Sequence, residues 1–221
     1  MINRIVKCAW VAPVLLAWSV SATAAPNFSF VEVDYRDGET LGIDSDGFAL
    51  TGQLDLTENW YIYGRYADTE LDVSGGGSLD FQRISIGGGF HGPLTSGDDL
   101  EWFGKLTYEH FDIDLSIPGF ASGSDDEDGF AAEVGLRADV HPMIELYAST
   151  LFIKVADDIE DRTTSVDFGD DVADGFGYTL GGVLNIQDRI AVGLGYEDVD
   201  GFEEIKLNIR VYLRGLRLFG R

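Results

Sequence analysis

Few side chains in this sequence have the chemistry of a catalytic acid or base. The histidines are His91, His110 and His141, and only His110 is followed closely by acidic residues, at Asp112 and Asp114. A histidine beside a carboxylate can act as a general base whose ring the carboxylate orients. His91 and His141 lack such neighbours, and the proline that follows His141 predicts a surface turn.

The face on which His110 lies can be read from its neighbours, because apolar and polar residues alternate in this segment. The even positions of that face carry Trp102, Leu106 and Tyr108. Such side chains are typical of a lipid interface. We therefore expect an interfacial histidine, and the sequence assigns no catalytic residue and no enzymatic activity.

Carboxylates are the most abundant charged groups, with 39 Asp and Glu against 15 Lys and Arg and a formal net charge of −24. The densest runs are Asp125–Asp128 and Asp167–Asp174. Carboxylate oxygens bind Ca²⁺ or Mg²⁺, so divalent cations are a candidate partner of these runs. The spacing matches neither an EF-hand nor a calcium-binding nonapeptide, so no metal-binding or cofactor-binding residue is assigned. A solvated acidic surface is the alternative to cation binding.

Nucleic acid is excluded as a partner, because the acidic chain would repel its phosphates.

Residues 1–24 have the organisation of a cleaved export signal. Arg4 and Lys7 supply a positive start, an apolar run follows, and Ala22-Thr23-Ala24 is a small-residue cleavage site. The run is shorter than the ~20 apolar residues of a membrane-spanning helix. We expect a signal peptide here and one mature domain over residues 25–221. Without Arg4 and Lys7 the charge of −24 becomes −26.

The only cysteine, Cys8, lies inside this leader, so the mature chain would hold no disulfide. The apolar content of 45% is too high for a disordered acidic chain. Charge and hydrophobicity must therefore be separated in space, and a closed hydrogen-bonded barrel is one way to do so.

Ten segments of the mature chain alternate apolar with polar residues, which is the pattern of a strand with two different faces. A membrane-crossing strand needs ~9–11 residues, and most of the segments are long enough. The predicted strands are Phe28–Arg36, Phe48–Thr57, Trp60–Asp68, Phe81–His91, Leu100–Asp112, Gly129–Val140, Ile144–Val155, Phe176–Ile186, Ile190–Glu197 and Glu204–Arg214.

The connections alternate between short turns and longer acidic segments. Short turns are predicted at Thr57-Glu58-Asn59, His141-Pro142-Met143 and Gln187-Asp188-Arg189, with a somewhat longer one over Gly92–Asp99. The other connections are Asp37–Gly47, Thr69–Asp80, Leu115–Asp128, Ala156–Gly175 and Asp198–Glu203, and all but the last of them are long. With the residues that flank them, these five regions hold 27 of the 39 acids and only two bases, Arg36 and Arg162. Long loops of outer-membrane barrels face outward, so we expect the acidity at the outer surface.

The two faces of the strands differ in chemistry. We expect lipid to contact the apolar face, which is clearest at Phe48, Leu50, Leu54 and Leu56, at Phe130, Ala132, Val134, Leu136, Ala138 and Val140, and at Ile205, Leu207, Ile209, Val211 and Leu213. The lumen would receive Glu32, Asp34, Arg65, Arg83, Glu101, Lys105, Glu109, Glu133, Arg137, Glu145, Glu197, Lys206, Asn208, Arg210 and Arg214. Aromatic residues near strand ends predict two interfacial belts. Trp60 and Trp102 would lie near the short turns, and Tyr35, Phe48, Tyr66, Phe81, Tyr108, Phe130, Phe152, Tyr178 and Tyr196 near the long connections.

The strand–turn–strand segments Phe48–Asp72, Gly129–Ser149 and Gly175–Asp200 resemble the small outer-membrane β-barrel proteins of Gram-negative bacteria, of the porin-like or OmpA–OmpX type. The resemblance implies an all-β fold, a transmembrane antiparallel up-and-down β-barrel of ten strands, with eight as the alternative. It implies a place in the cell outer membrane, among lipid and lipopolysaccharide, and insertion by the barrel assembly machinery.

The last strand of such barrels usually ends on an aromatic residue. Here either the last strand runs to Phe219 with a kink at Gly215, or a short tail follows Leu213.

Within this class of proteins the sequence leaves several functions open. Acidic and basic residues predicted for the lumen are nearly equal in number, and buried charges need partners. The main hypothesis is therefore a barrel whose lumen is plugged by ion pairs. Such a barrel would have a structural or surface-interacting role. A narrow porin-like channel lined by the same groups is the alternative. Omptin proteases and lipid A deacylases are barrel enzymes, but His110 faces lipid and no serine–histidine pair stands out. A soluble lipocalin-like barrel would need apolar inward faces.

Overall fold

The computed structural model describes residues 28–40, 43–73, 77–95, 99–117, 121–155, 175–187, 189–199 and 202–213. Within these ranges ten strands form a closed antiparallel barrel in which neighbours in sequence pair and β1 pairs with β10. The strands are β1 Phe30–Thr40, β2 Ile43–Asp55, β3 Trp60–Val73, β4 Gly77–Pro93, β5 Leu100–Ile117, β6 Ala121–His141, β7 Ile144–Val155, β8 Gly175–Gln187, β9 Ile190–Val199 and β10 Phe202–Tyr212. In this part of the chain no helix is long and apolar enough to span a membrane.

The prediction of ten strands is confirmed, and each observed strand overlaps its predicted segment. The predicted signal peptide, residues 1–24, lies outside the described residues, as do most of Ala156–Gly175 and the chain after Leu213. Both alternatives for the chain end therefore stay predictions.

The prediction of long outer loops is wrong at Asp37–Gly47, Thr69–Asp80 and Leu115–Asp128, and the short connection predicted at Asp198–Glu203 is shorter still. The strands continue through most of these residues and leave only 41–42, 74–76, 118–120 and 200–201 between them. Above the membrane the outer face of a strand meets water instead of lipid, so its apolar side chains give way to polar ones while the inner face stays buried, as at Thr69 and Leu71, and the ladder hydrogen bonds persist.

The stagger of the strands sets the tilt of the barrel. Following paired residues from Asp112 on β5 through the other nine strands leads back to Leu100, twelve residues away on the same strand. For ten strands this stagger corresponds to a tilt of roughly 40°. The ten-residue step from Phe130 to Val140 on β6 then rises about 25 Å, the height of the lipid-facing band of such barrels.

Side-chain directions follow the predicted alternation. On β10, Ile205, Leu207 and Ile209 are 56–60% exposed, while Asn208 and Arg210 between them are buried. The apolar face assigned to lipid points outward on β2 and β6 as well. The charged residues assigned to the lumen are buried or half-buried on the inner face, except Arg214, which lies outside the described residues.

Aromatic side chains form two outward-facing belts, as predicted, with one exception. At the end with the short turns, Phe90 lies 5.2 Å from Trp60 and 5.3 Å from Trp102, measured between ring centroids. The other belt includes Tyr35, Phe48, Tyr66, Tyr108, Phe130, Phe152, Tyr178 and Tyr196. The assignment of Phe81 to a belt is wrong, because Phe81 has inward parity on β4 and packs against Phe111 and Phe202.

The strands end at different heights on the outer side. Beyond the belt, β5 continues nine residues from Tyr108 to Ile117, whereas β9 continues only three from Tyr196 to Val199. The hairpin of β5 and β6 therefore stands well above the belt. It carries several of the acids that the sequence placed in a loop, including Asp125 and Asp126.

Candidate functional site: the charged interior of the barrel

The inner face of the barrel holds three zones of side chains. A periplasmic layer near the short turns consists of Phe28, Phe30, Tyr61, His91, Phe103, Arg137, Glu145, Arg210 and Tyr212. An outer layer near the acidic rim consists of Phe81, Phe111, Ala131, Leu151, Ile153, Val199 and Phe202. Between them lies a polar cavity, here called the chamber. Every second residue of each strand points inward, so each zone collects side chains from many strands.

Glu145 is the centre of the periplasmic layer and is 1% exposed. Its Oε1 accepts hydrogen bonds from Arg137 Nη2 at 2.6 Å and from Arg210 Nη1 at 3.0 Å. The Nε of Arg210 also donates to Glu32 Oε2 at 2.7 Å. Hydrogen bonds between ionised groups are the strong ones, and here they connect β1, β6, β7 and β10.

Phe28 fills the periplasmic layer from a segment just before β1. Its ring stacks on His91, with 3.9 Å between centroids and 9° between planes, and the Arg137 guanidinium carbon lies 4.4 Å from its centroid. The Nδ1 of His91 lies 3.1 Å from Glu101, and its Nε2 lies 3.5 Å from Asp55. Two groups that can carry positive charge thus stack on one aromatic ring, an arrangement its electron-rich faces favour.

The chamber has a volume of about 140 Å³. Ion pairs line it, with Lys105 Nζ 2.6 Å from Glu133 and Arg83 Nε 2.8 Å from Glu109. Lys206 pairs with Glu197 in the same zone. At ~30 Å³ for each water molecule in the liquid, a polar cavity of this size has room for roughly five.

Some polar atoms at the chamber wall have no hydrogen-bond partner among the described residues. They are Nε and Nη2 of Arg65, Nε2 of Gln53 and Oδ1 of Asn208. Gln53 is 8% exposed and Asn208 is 2% exposed, so neither side chain reaches bulk water. Buried polar groups without protein partners usually bind water or an ion.

The outer layer is apolar and has one buried cation beside it. Arg36 contacts Glu204 at 2.7 Å, Asp34 at 3.0 Å and Glu197 at 3.5 Å. A second cavity of about 40 Å³ adjoins Arg36, Phe81 and Val199. The sequence placed Glu197 in the lumen but Arg36 and Glu204 in the outward regions, so this cluster was not predicted. The alternation of inward and outward residues along β1 and β10 would have placed both of them inside.

Inward-facing glycines make room for two tyrosine rings that lie against the inner wall, each over the glycine opposite it on the neighbouring strand. A Cβ at Gly181 would lie 2.3 Å from Cζ of Tyr147, and a Cβ at Gly89 would lie 2.3 Å from Cζ of Tyr61. Only glycine allows such close approach of a ring to a strand. In contrast, a Cβ at the lipid-facing Gly52 would meet nothing within 4 Å.

The structure separates the three histidines. His110 lies on the outer face, as predicted, just above the belt. Its Nδ1 is 2.7 Å from Asp128 Oδ1, and Tyr108 donates a hydrogen bond to the same oxygen. The hydrogen bond to Asp128 raises the pKa of His110, and those from Tyr108 and His110 lower the pKa of Asp128. His141 lies in the predicted turn, where its Nδ1 accepts a hydrogen bond from the Met143 amide.

The interior role of His91 was not predicted, because its partners Asp55 and Glu101 lie on other strands. In the described part of the chain, no group of three or more His, Cys, Asp or Glu side chains is placed to hold a metal ion. The acidic outer strands therefore show no formed metal site there.

A protein-family model described as outer membrane protein beta-barrel domain matches residues 12–169. Similar solved structures include the attachment invasion locus protein Ail of Yersinia pestis, at 14% identity and a TM-score of 0.38 over 86% of this chain and 99% of that one. Neisserial surface protein A is similar at 10% identity and a TM-score of 0.41, over 83% and 96%. The NanC porin is similar at 9% identity and a TM-score of 0.46, over 83% and 98%. No curated protein sequence matches the chain.

Proposed function

Because this chain belongs to the outer membrane protein beta-barrel domain family, we propose that it is a structural or surface-interacting barrel whose lumen is closed to solutes. Its place is the outer membrane, and its setting is lipid and lipopolysaccharide. In this proposal the strands supply membrane integrity, the outer strand ends supply an acidic surface, and no residue supplies catalysis.

The observation that carries the proposal is the pair of buried layers across the lumen. Phe28 and Glu145 in the periplasmic layer are 2% and 1% exposed, and Phe111 and Ile153 in the outer layer are 4% and 5% exposed. Ion pairs fix the charged members of the periplasmic layer and Arg36 beside the outer layer, so few of these side chains are free to swing aside. Ten strands also enclose a narrow lumen, since eight-stranded barrels are just filled by side chains.

Planar-bilayer recording of the folded full-length barrel tests this proposal. We expect no discrete conductance steps, because a solute would have to displace both layers. Heat-modifiable migration on a denaturing gel shows that the same sample is folded. Discrete steps from folded protein would overturn the closed lumen and favour the channel.

A narrow channel is the second candidate, and the chamber is the observation that favours it. The charged residues around the chamber already provide a polar path over the middle of the lumen. Because Phe28 lies on a segment before β1, Phe28→Ala is the variant most suited to open the periplasmic side. If the wild type is a channel, the variant should have a higher conductance than the wild type. A variant without measurable conductance supports closure by both layers.

Three further expectations concern export and partners. Residues 1–24 are proposed to be removed during export, so mass spectrometry should find Ala25 at the mature N-terminus, and fractionation should find the protein in the outer membrane. We propose insertion by the barrel assembly machinery, and its depletion should reduce the heat-modifiable form. Divalent cations at the acidic outer strands are tested by calorimetric titration with Ca²⁺. An absence of heat and of any change in the thermal midpoint would remove that partner.

A further inference from the structure

Arg65 is the chamber residue whose chemistry the ion pairs do not explain. Its inward-facing guanidinium lies opposite Thr51 on the neighbouring strand, and no ion pair joins it to a carboxylate among the described residues. The two nitrogens without partners, Nε and Nη2, lie on one edge of the guanidinium group. That edge presents two parallel N–H donors, which fit two oxygen acceptors.

The charge balance of the interior decides what kind of acceptor fits. Among the described interior residues, seven carboxylates contact a lysine or an arginine: Glu32, Asp34, Glu109, Glu133, Glu145, Glu197 and Glu204. Six bases make those contacts: Arg36, Arg83, Lys105, Arg137, Lys206 and Arg210. Arg65 is the seventh base and makes this set neutral, while two further interior carboxylates, Asp55 and Glu101, contact His91. A bound anion would leave one uncompensated negative charge away from bulk water, which is costly. Neutral oxygen acceptors carry no such cost.

The other atoms without partners point to the same ligand. Gln53 offers an N–H donor and Asn208 offers a carbonyl acceptor at the wall of the same chamber. Water can accept from Arg65 and Gln53 and donate to Asn208, and a buried water typically makes about three hydrogen bonds. A cavity of about 140 Å³ holds several such molecules.

We propose that the chamber holds a resident cluster of water molecules anchored on the Nε–Nη2 edge of Arg65, with Gln53 and Asn208 as its other anchors. The lumen is then blocked by two layers with water between them, rather than filled throughout. The inference rests on the proposed closed lumen, because the two layers are what keep the water resident.

Water-to-amide cross-relaxation NMR tests the proposal on the full chain in lipid nanodiscs, with ¹⁵N-labelled arginine and glutamine. We expect long-residence water cross-peaks at Arg65 Nε–H and at the Gln53 side-chain amide. The matched internal controls are the Nε–H groups of Arg137 and Arg210, which donate to Glu145 and Glu32 and should show none. Arg65→Lys assigns the Arg65 signal by removing it.

Two outcomes would overturn the inference. One is a folded protein in which Arg65 Nε–H shows no water cross-peak. The other is a shift of that signal when sodium acetate or sodium phosphate is added, which would identify an anion as the partner. Discrete conductance steps in the bilayer recording would refute the closed lumen, whether or not the NMR experiment shows bound water. If the bilayer recording shows no conductance and the water cross-peaks are also absent, only the water cluster is refuted.

Discussion

Replacing Glu145 with glutamine should destabilise the barrel strongly while leaving its shape unchanged. Glutamine has the size of glutamate, so Glu145→Gln creates no cavity; it removes the negative charge and replaces one acceptor oxygen with an NH2 donor. The carboxylate is 1% exposed and receives charge-assisted hydrogen bonds from Arg137 and Arg210. Its loss leaves buried positive charge in the periplasmic layer with less compensation.

The size of the effect follows from what each arginine keeps. Breaking a buried ion pair by changing one partner costs about 3–5 kcal/mol. Arg210 retains Glu32 at 2.7 Å, so the change removes only part of its charge compensation. We therefore expect the lower end of the range, a decrease of about 3 kcal/mol in the free energy of unfolding. Adding Arg137→Met should recover about 1 kcal/mol or more, because it restores the charge balance.

Urea unfolding from lipid vesicles, followed by tryptophan fluorescence and extrapolated linearly to water, measures these differences. Glu70→Gln is the matched control, because Glu70 is exposed on β3 above the belt. It should change the free energy of unfolding by less than about 0.5 kcal/mol. If Glu145→Gln is as mild as Glu70→Gln, the buried ion pairs do not stabilise this barrel and the reasoning is wrong.

Two other predictions concern packing and protonation. Gly181→Ala should lower the free energy of unfolding by about 1–3 kcal/mol, because the new methyl group meets the Tyr147 ring, whereas Gly52→Ala should be neutral or slightly stabilising. The same urea assay measures both variants. Equal changes in the free energy of unfolding for Gly181→Ala and Gly52→Ala would contradict the idea that Gly181 leaves space for the Tyr147 ring. NMR titration should give His110 a pKa above its ordinary value, and Asp128→Asn should bring it down. The imidazolium–carboxylate contact therefore stabilises the fold below the unfolded pKa of histidine, and this contribution is lost as pH rises through the folded pKa. An unchanged His110 pKa in Asp128→Asn would contradict this.

The sequence predicted the parts of the fold that depend on short-range alternation. Within the membrane one face of each strand meets lipid, so Leu207 and Asn208 on β10 could be assigned to opposite faces from parity alone. Above the membrane this contrast vanishes. The strand that contains Asp125 and Asp126 was therefore mistaken for a loop, because its length depends on ladder hydrogen bonds that leave no apolar pattern.

The interior contacts were less predictable, because they join strands far apart in sequence. The sequence placed Glu145 and Arg210 in the lumen but gave no sign that they meet. Arg36 and His91 were missed as interior residues: one lay in an acidic stretch and the other beside a turn. Phe81 was misassigned because its place near a strand end was given more weight than its parity, which matches that of Arg83, a residue that the sequence placed in the lumen.

The seam between β1 and β10 gives this barrel a particular order of events in folding. Eleven residue pairs join the first strand to the last, and the Glu32–Arg210 hydrogen bond spans 178 positions of the chain. Until β10 arrives, β1 has an unpaired edge open to other chains. Closure is therefore a late step of high contact order and a slow one. Once the seam has formed, no strand edge within the membrane is left unpaired, so the lifetime of the protein depends on a rare, concerted opening rather than on gradual loss.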